Sequence, residues 1–218
     1  MPPYATCLFD LDGTLIDSVE LILRSFRHTM LVHRGAAPDD AVFLAGLGTT
    51  LWDQFRTVAA DAAEVEAMVA TYRAFNLAHH DALVREYPGV RAAVRALVAR
   101  GARLAIVTSK LRASAARGLA LAGLTDAFPV IVGADDVAEH KPHPAPVRRA
   151  LALLGADPAG AVFVGDSPHD IAAGRAAGVG TAAVTWGPFP RATLVAAAPD
   201  HWVAAPAELA DLAPPAGG

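Results

Sequence analysis

Short apolar runs recur along the chain, and each is followed by a segment with helical spacing of apolar residues. The runs are rich in Val, Ile, Leu and Ala and do not alternate with polar residues: Thr6–Phe9, Arg103–Val107, Val130–Val132, Ala161–Val164 and Thr181–Val184. Strands buried on both faces of a parallel sheet have this composition. The predicted helices end at or near glycines: Val90–Arg100, Arg112–Ala122, Pro146–Leu154 and Asp170–Ala177. This alternation predicts an α/β fold with a doubly wound, Rossmann-like parallel sheet.

Residues 17–84 interrupt the alternation. Their apolar positions follow helical spacing, as at Leu21, Ile22 and Phe26, and no strand-like run separates them. We therefore predict a small α-helical cap domain, 17–84, inserted into a core formed by 1–16 and 85–218. Asp17, with Glu20 three residues later, has the spacing of a capping box and predicts the start of the first cap helix.

Composition narrows the classes of partner. Of 218 residues, 54% are hydrophobic and the formal net charge is -4, which favours a globular chain and gives no reason to expect nucleic acid or a membrane surface as partner. The single cysteine, Cys7, lies in an apolar run and is interpreted as a core residue in a reducing compartment. The N-terminus lacks the pattern of a signal peptide, so we expect a cytoplasmic protein, either monomer or homodimer.

Residues suited to catalysis follow the predicted strands. They are Asp10, Asp12, Thr108, Ser109, Lys110, Lys141, Asp166 and Asp170. In open parallel sheets the carboxyl ends of the strands line the ligand crevice, so these side chains are expected to converge there. Taken singly, Asp12 could belong to a turn, and Thr108 and Ser109 could merely cap the next helix.

The predicted cluster has a charge problem that a cation would solve. Four carboxylates at one site would repel one another: Asp10, Asp12, Asp166 and Asp170. Hard oxygen ligands without nearby Cys or clustered His favour Mg²⁺ over zinc. Lys141 adds a positive charge, and Thr108 and the amides around Ser109 can donate hydrogen bonds to phosphate oxygens. The set predicts a site that binds a phosphoryl group and stabilises its transfer.

Four motifs in this order resemble the haloacid dehalogenase-like (HAD) superfamily. They are Asp-Leu-Asp-Gly-Thr at 10–14, Ile-Val-Thr-Ser at 106–109, Lys-Pro at 141–142 and Gly-Asp-Ser-Pro-His-Asp at 165–170. The helical insertion after the first motif is similar to the small cap of the phosphoglycolate-phosphatase branch. Segments around Glu20, Ser25, Tyr72, His79 and Asp135 resemble the bacterial PpaX-type inorganic pyrophosphatases.

The resemblance implies that the two strand-end acids have different roles. Asp10 would attack phosphorus and become an aspartyl-phosphate. Asp12 would protonate the leaving group and then activate the water that hydrolyses the intermediate. Metal contact would keep Asp10 ionised, whereas Asp12 would be freer to carry a proton.

The resemblance also implies how the metal and the phosphoryl group are held. Mg²⁺ would bind Asp10, the backbone carbonyl of Asp12 and Asp166, while Asp170 would orient the metal shell directly or through water. The phosphoryl oxygens would be held by Thr108, the amide of Ser109 and Lys141. Thr108 and Lys141 thereby join Asp10 and Asp12 in the catalytic set.

Substrate choice is assigned to the cap and the residues that face it. The expected substrate contacts are Gly48, Thr49, Thr50 and Lys110. A turn that connects two helices, with a threonine as N-cap of the second, would explain residues 46–50 equally well. Pyrophosphate needs cations for its second phosphate, whereas an organic ester needs shape and apolar contact. Candidate cations are Lys110, Arg24, Arg56 and Arg73.

Several activities stay open at this point. The expected activity is hydrolysis of pyrophosphate or of a small phosphomonoester, such as phosphoglycolate or a sugar-like phosphate. A sugar phosphomutase and a non-catalytic phospho-acceptor module are the further alternatives.

Overall fold

A six-stranded parallel sheet lies at the centre of the protein, whose computed structural model describes residues 4–215. The strands are β1 (Thr6–Phe9), β2 (Ile16–Asp17), β3 (Arg85–Glu86), β4 (Arg103–Val107), β5 (Val130–Val132), β6 (Ala161–Gly165), β7 (Gly180–Val184) and β8 (His201–Val203). The helices are α1 (Val19–Arg34), α2 (Asp40–Leu44), α3 (Leu51–Arg56), α4 (Ala62–Leu83), α5 (Val90–Ala99), α6 (Arg112–Leu121), α7 (Ala145–Leu154), α8 (Pro168–Ala177) and α9 (Arg191–Ala197).

The strand order of the large sheet is β5-β4-β1-β6-β7-β8, and every pairing in it is parallel. The chain begins in the middle of the sheet, builds one half outward through β4 and β5, and then returns to build the other half. This is the Rossmann order, so the predicted doubly wound fold is confirmed. The direction of winding reverses between β1 and β6, where ligands bind in such sheets.

The central strands are buried on both faces. In β1, Cys7 and Phe9 pack into the apolar cluster on one face, and Leu8 packs into the cluster on the other. Burial raises the pKa of Cys7 to about 12, which keeps the thiol protonated at neutral pH. The interpretation of Cys7 as a core residue is therefore confirmed.

The sequence pattern missed the short elements that lack an apolar run. Strand β8 has three residues and pairs with β7 at the edge of the sheet. The equally short β5 was predicted because all three of its residues are aliphatic, whereas β8 begins with His201 and Trp202 and is a strand through its pairing with β7. The two-residue strands β2 and β3 and the helix α9 were missed as well.

Helices α1 to α4 form the segment that was predicted to be the cap. Their shared core contains aromatic side chains: the Phe26 ring stacks on Phe43 with centroids 4.7 Å apart and meets Tyr72 at 4.9 Å. The antiparallel pair β2–β3 closes the base of this segment, with Ile16 opposite Glu86. The division into domains at 17–84 stays a prediction.

The predicted helix start at Asp17 is one residue too early, but the carboxylate of Asp17 accepts a hydrogen bond at 3.3 Å from the amide of Val19, the first residue of α1. Asp17 lies in β2, and the residue before α1 is Ser18. The pairing of β2 with β3 holds Asp17 in extended backbone, so the helix begins after it.

Among the described residues, none of the helices is long and apolar enough to cross a membrane.

Candidate active site

Three carboxylates and one ammonium group meet at the carboxyl ends of β1 and β6. Asp10 follows β1, Asp166 follows β6, and Asp170 lies in the first turn of α8. Lys141 Nζ donates to Asp10 Oδ1 at 2.9 Å and to Asp170 Oδ1 at 2.7 Å. All four side chains are buried, with residue exposures of 0–4%.

Hydrogen bonds and close backbone approach fix this arrangement. The amide of Asp10 donates to the carbonyl of Val164, which continues the β1–β6 pairing to the carboxyl end of β1. Ser167 caps α8, and its Oγ donates to Asp170 Oδ2 at 2.6 Å. Position 165 has room only for glycine, because a Cβ there would lie 2.4 Å from the Cβ of Asp170.

Burial and mutual repulsion make the acids hard to ionise. Burial raises the pKa of Asp10 to about 7, with Asp170 adding to the shift and Lys141 opposing it. Burial, reinforced by Asp10 and Asp170, raises the pKa of Asp166 well above its usual range. Burial disfavours the charge on Lys141, but Asp10 and Asp170 outweigh it and raise its pKa. One lysine therefore does not neutralise the three acids.

The three acids fit a divalent cation. One carboxylate oxygen from each of Asp10, Asp166 and Asp170 lies within 4.8 Å of the others. Three negative charges against the single ammonium of Lys141 leave an excess of two, which a doubly charged ion would balance. The donors are hard oxygens, which suit Mg²⁺. A bound cation would reverse the pKa shifts, because it favours the ionised carboxylates.

Asp12 occupies a different environment from Asp10. Its carboxylate accepts a hydrogen bond from Lys110 Nζ at 2.5 Å and another from the hydroxyl of Ser18. Its side chain is 19% exposed, compared with 6% for Asp10. Asp12 thus has one oxygen held by a cation and lies in the wall of an adjoining cavity.

Thr108 and Ser109 follow β4 at the same edge of the sheet. Thr108 Oγ1 accepts from the amide of Lys110 at 3.2 Å, a local turn contact that precedes α6. The hydroxyl of Ser109 donates to the carbonyl of Gly48 at 2.7 Å and so joins the core to the loop 45–50 between α2 and α3, here called the cap loop. Neither residue caps α6, because its N-cap is Leu111 and no side chain makes the capping hydrogen bond there. The alternative role of Thr108 and Ser109 as helix caps is therefore wrong, and their phosphate contacts stay a prediction.

Comparison with known proteins establishes the family. The profile of haloacid dehalogenase-like hydrolases matches residues 7–184. The chain belongs to the haloacid dehalogenase-like hydrolases. It is 46% identical over 195 residues to the pyrophosphatase PpaX of Bacillus cereus, covering 89% of each chain.

Solved structures share the fold of this hydrolase. A haloacid dehalogenase-like family hydrolase of Streptococcus pneumoniae matches with a TM-score of 0.83 and 26% identity, over 96% of this chain and 98% of that one. A predicted phosphoglycolate phosphatase of Haemophilus somnus matches with a TM-score of 0.84 and 25% identity, over 97% and 99%. Both matches include the cap segment as well as the core.

A cavity of about 610 Å³ lies between the cap helices and the core of the hydrolase. The core contributes Asp12, Ser109 and Lys110, and the cap contributes Thr49 and Thr50. Thr50 also caps α3, because its Oγ1 accepts from the amide of Asp53 at 3.2 Å. Gly48 lies against α8, where a Cβ would be 2.9 Å from Ser167 Oγ.

The other predicted cap cations separate into two groups. Arg24 and Arg56 are paired with neighbouring acids on exposed helix faces, with Glu20 and Asp53 respectively. Arg73 lines the cavity. His80, near the end of α4, is buried and also lines the cavity.

Sequence reasoning assigned no role to several residues that support the site. Thr14 Oγ1 donates to Asp166 Oδ1 at 2.8 Å, and Trp186 Nε1 donates to the carbonyl of Thr14 at 3.0 Å. Ser167 carried a usable signal, because an acid three residues after a serine marks a capping box. Trp186 carried none, since it is 172 residues from the group that it contacts.

Proposed function

We propose that this protein is a Mg²⁺-dependent phosphohydrolase that forms an aspartyl-phosphate on Asp10, with inorganic pyrophosphate as its first candidate substrate. The observation that carries the proposal is the pairing of buried Asp10 with Lys141 beside Asp166 and Asp170, with Asp12 two residues further on. The named relatives support the reaction class, since PpaX is a pyrophosphatase.

In the first step, a carboxylate oxygen of Asp10 forms a bond to phosphorus while the bond from phosphorus to the leaving oxygen breaks. Lys141 is placed to hold one oxygen of Asp10, which directs the other toward the substrate. In the second step a water oxygen bonds to phosphorus, the bond to Asp10 breaks, and phosphate is released.

Asp12 is the proposed acid and base. It gives its proton to the leaving oxygen in the first step and takes a proton from the attacking water in the second, so it ends as it began. Its position between Ser18 and Lys110, at the wall of the cavity, suits a group that must meet both leaving group and water. A cation bound to Asp10 would keep this carboxylate ionised for attack, whereas Asp12, 19% exposed at the cavity wall, is left to exchange protons.

Charge on the transferred group is balanced by the surrounding residues. A Mg²⁺ ion held by Asp10, the carbonyl of Asp12 and Asp166 would supply Lewis-acid stabilisation of the phosphoryl oxygens. Asp170 would keep the shell in place through its bonds to Ser167. Thr108, the amide of Ser109 and Lys141 would donate hydrogen bonds to the same oxygens.

Small phosphomonoesters are the second candidate class. The structural relative described as a predicted phosphoglycolate phosphatase supports this class, and the cavity leaves room for an organic leaving group. Under either alternative, cytoplasmic localisation and a monomeric or homodimeric state stay predictions.

The test is release of phosphate from pyrophosphate, phosphoglycolate and a panel of sugar phosphates, with Mg²⁺ or with a chelator. We expect Mg²⁺-dependent turnover, with pyrophosphate preferred. Equal or better turnover of the esters would contradict the choice of pyrophosphate, and transfer of phosphate between positions of a hexose phosphate would indicate a mutase.

The variant Asp10→Asn tests the nucleophile. It should abolish turnover while the thermal unfolding transition is retained, because the amide is nearly isosteric but a poor nucleophile. Substantial residual turnover in a metal-replete, folded variant would rule out Asp10 as the nucleophile.

A further inference from the structure

The cavity between cap and core continues directly from the proposed site of phosphoryl transfer. Asp12, the proposed acid, lies in its wall beside Ser109 and Lys110. A group leaving from phosphorus toward Asp12 would therefore enter this space. Its volume, about 610 Å³, falls within the range of pockets that enclose organic ligands.

Much of the wall is apolar and aromatic. The apolar lining includes Ile22, Phe26, Leu51, Trp52, Leu77 and Leu111, contributed by both the cap and the start of α6. A second phosphate gains nothing from such side chains, whereas a hydrocarbon gains free energy by leaving water for them.

The positive charges of the wall are partly committed to acids of the protein. Lys110 donates to Asp12 at 2.5 Å. Arg117 makes two hydrogen bonds of 2.9 Å with Asp81 and a third, of 3.2 Å, with the carbonyl of Leu77. Arg73 also lines the wall, so the cavity offers a cation to a second phosphate and an apolar face to an organic leaving group.

We propose that this hydrolase also acts on phosphomonoesters whose alcohol carries an apolar chain or an aromatic ring, and that this body lies in the cap cavity. The proposal rests on the proposed function, because it uses the same attack by Asp10. The bond between phosphorus and the ester oxygen breaks, the alcohol keeps that oxygen and receives the proton of Asp12, and water supplies the fourth oxygen of the released phosphate.

A series of n-alkyl phosphates from methyl to hexyl tests the proposal, with pyrophosphate measured alongside. The leaving alcohols beyond ethyl have nearly the same acidity, so a change along the series reports the alkyl chain rather than the chemistry. We expect kcat/KM to rise with each added methylene, by at most about fourfold, until the chain reaches the far wall. A flat or falling series would overturn the proposal.

Two variants locate the effect in the cavity. Leu77→Ser removes an apolar group that lines the cavity but is 63% exposed, so folding is not at risk. Trp52→Ala removes the larger side chain. For each variant, kcat/KM is divided by the value of the same variant for methyl phosphate. This ratio should rise less steeply with chain length in both variants than in the unchanged protein. Leu31→Ser, at a cap position that is 54% exposed and away from the cavity, is the matched control and should keep the full rise.

The outcomes separate this proposal from the proposed function. Hydrolysis of pyrophosphate and methyl phosphate without a rise along the series would overturn the apolar substrate class alone. A rise that Leu77→Ser and Trp52→Ala both leave unchanged would overturn the cavity as its location. Failure to hydrolyse any of these compounds with Mg²⁺ would overturn both proposals.

Discussion

Gly48 offers the sharpest test of how the cap must meet the core. Its φ of +88° is one that residues with a side chain rarely adopt. An added Cβ would also lie 2.9 Å from Ser167 Oγ and 3.1 Å from His169 Cδ2. Ser167 cannot easily yield, since its hydroxyl donates to Asp170 at 2.6 Å. In Gly48→Ala the cap loop is therefore expected to move away from α8.

The expected loss of activity follows from the contact that such a movement breaks. The carbonyl of Gly48 accepts from Ser109 at 2.7 Å, and this bond would lengthen or be lost. A hydrogen bond of this kind contributes about 0.5–1.5 kcal/mol. If that contribution is lost only from the closed, reactive arrangement, kcat/KM falls by about two- to thirteenfold.

Gly35→Ala is the matched control. Gly35 ends α1 in the same cap with φ +73°, but an added Cβ there would meet no atom within 4 Å. Both variants carry the backbone cost of a left-handed alanine, about 1–3 kcal/mol, and should lower the melting temperature similarly. Only Gly48→Ala should also lower kcat/KM for pyrophosphate in steady-state phosphate release. Equal kcat/KM for the two variants would refute the reasoning from the cap contact.

Three further predictions concern charge. Lys110→Met should lower kcat/KM for pyrophosphate by about ten- to hundredfold, which corresponds to the free energy of one charge-assisted hydrogen bond. Lys110→Arg should lose less, and an equal loss in both variants would count against a role for the charge of Lys110. Chelation should abolish turnover, and added Mg²⁺ should restore it. Asp170→Asn should raise the Mg²⁺ concentration that gives the half-maximal rate, and an unchanged concentration would contradict the role of Asp170 in the metal shell. Hydrogen bonds from Arg117 and, to a smaller extent, His80 lower the pKa of Asp81 to about 2. The ionised Asp81 should therefore stabilise the fold fully above the unfolded carboxyl pKa of about 3.9, and this stabilisation should be lost as pH falls through about 2. The difference in melting temperature between the protein and Asp81→Asn should accordingly shrink between about pH 4 and pH 2, and a difference that stays the same over that range would contradict the assignment.

Most of the α/β architecture could be predicted from local patterns. The central strands are buried on both faces, so runs such as 103–107 contain apolar residues without alternation, and the strand bounds found there match the prediction. Helices such as α8 end at a glycine in left-handed backbone, Gly178, which is visible in the sequence. Elements without a local signature were missed, as with β8, whose partner strand alone makes it a strand.

The meeting of the acids at the site was predictable for the same reason. Asp10 and Asp166 immediately follow buried strands, and parallel strands bring their carboxyl ends to one edge, so their meeting follows from the fold class. The partners of these acids are another matter. Side-chain rotamers and packing decide these contacts: Lys141 with Asp10, Thr14 with Asp166, and Lys110 with Asp12.

The sequence by itself determined the alternation of the central strands with their helices, the helical insertion and the identity of the acids at the strand ends. Only the tertiary structure decided the shape and polarity of the space beside Asp12. That space is bounded by Trp52 and Leu77 of the cap and by Leu111 of the core. Periodicity indicates which face of a helix or strand is buried, but the shape of a cavity depends on how two separately packed segments fit together.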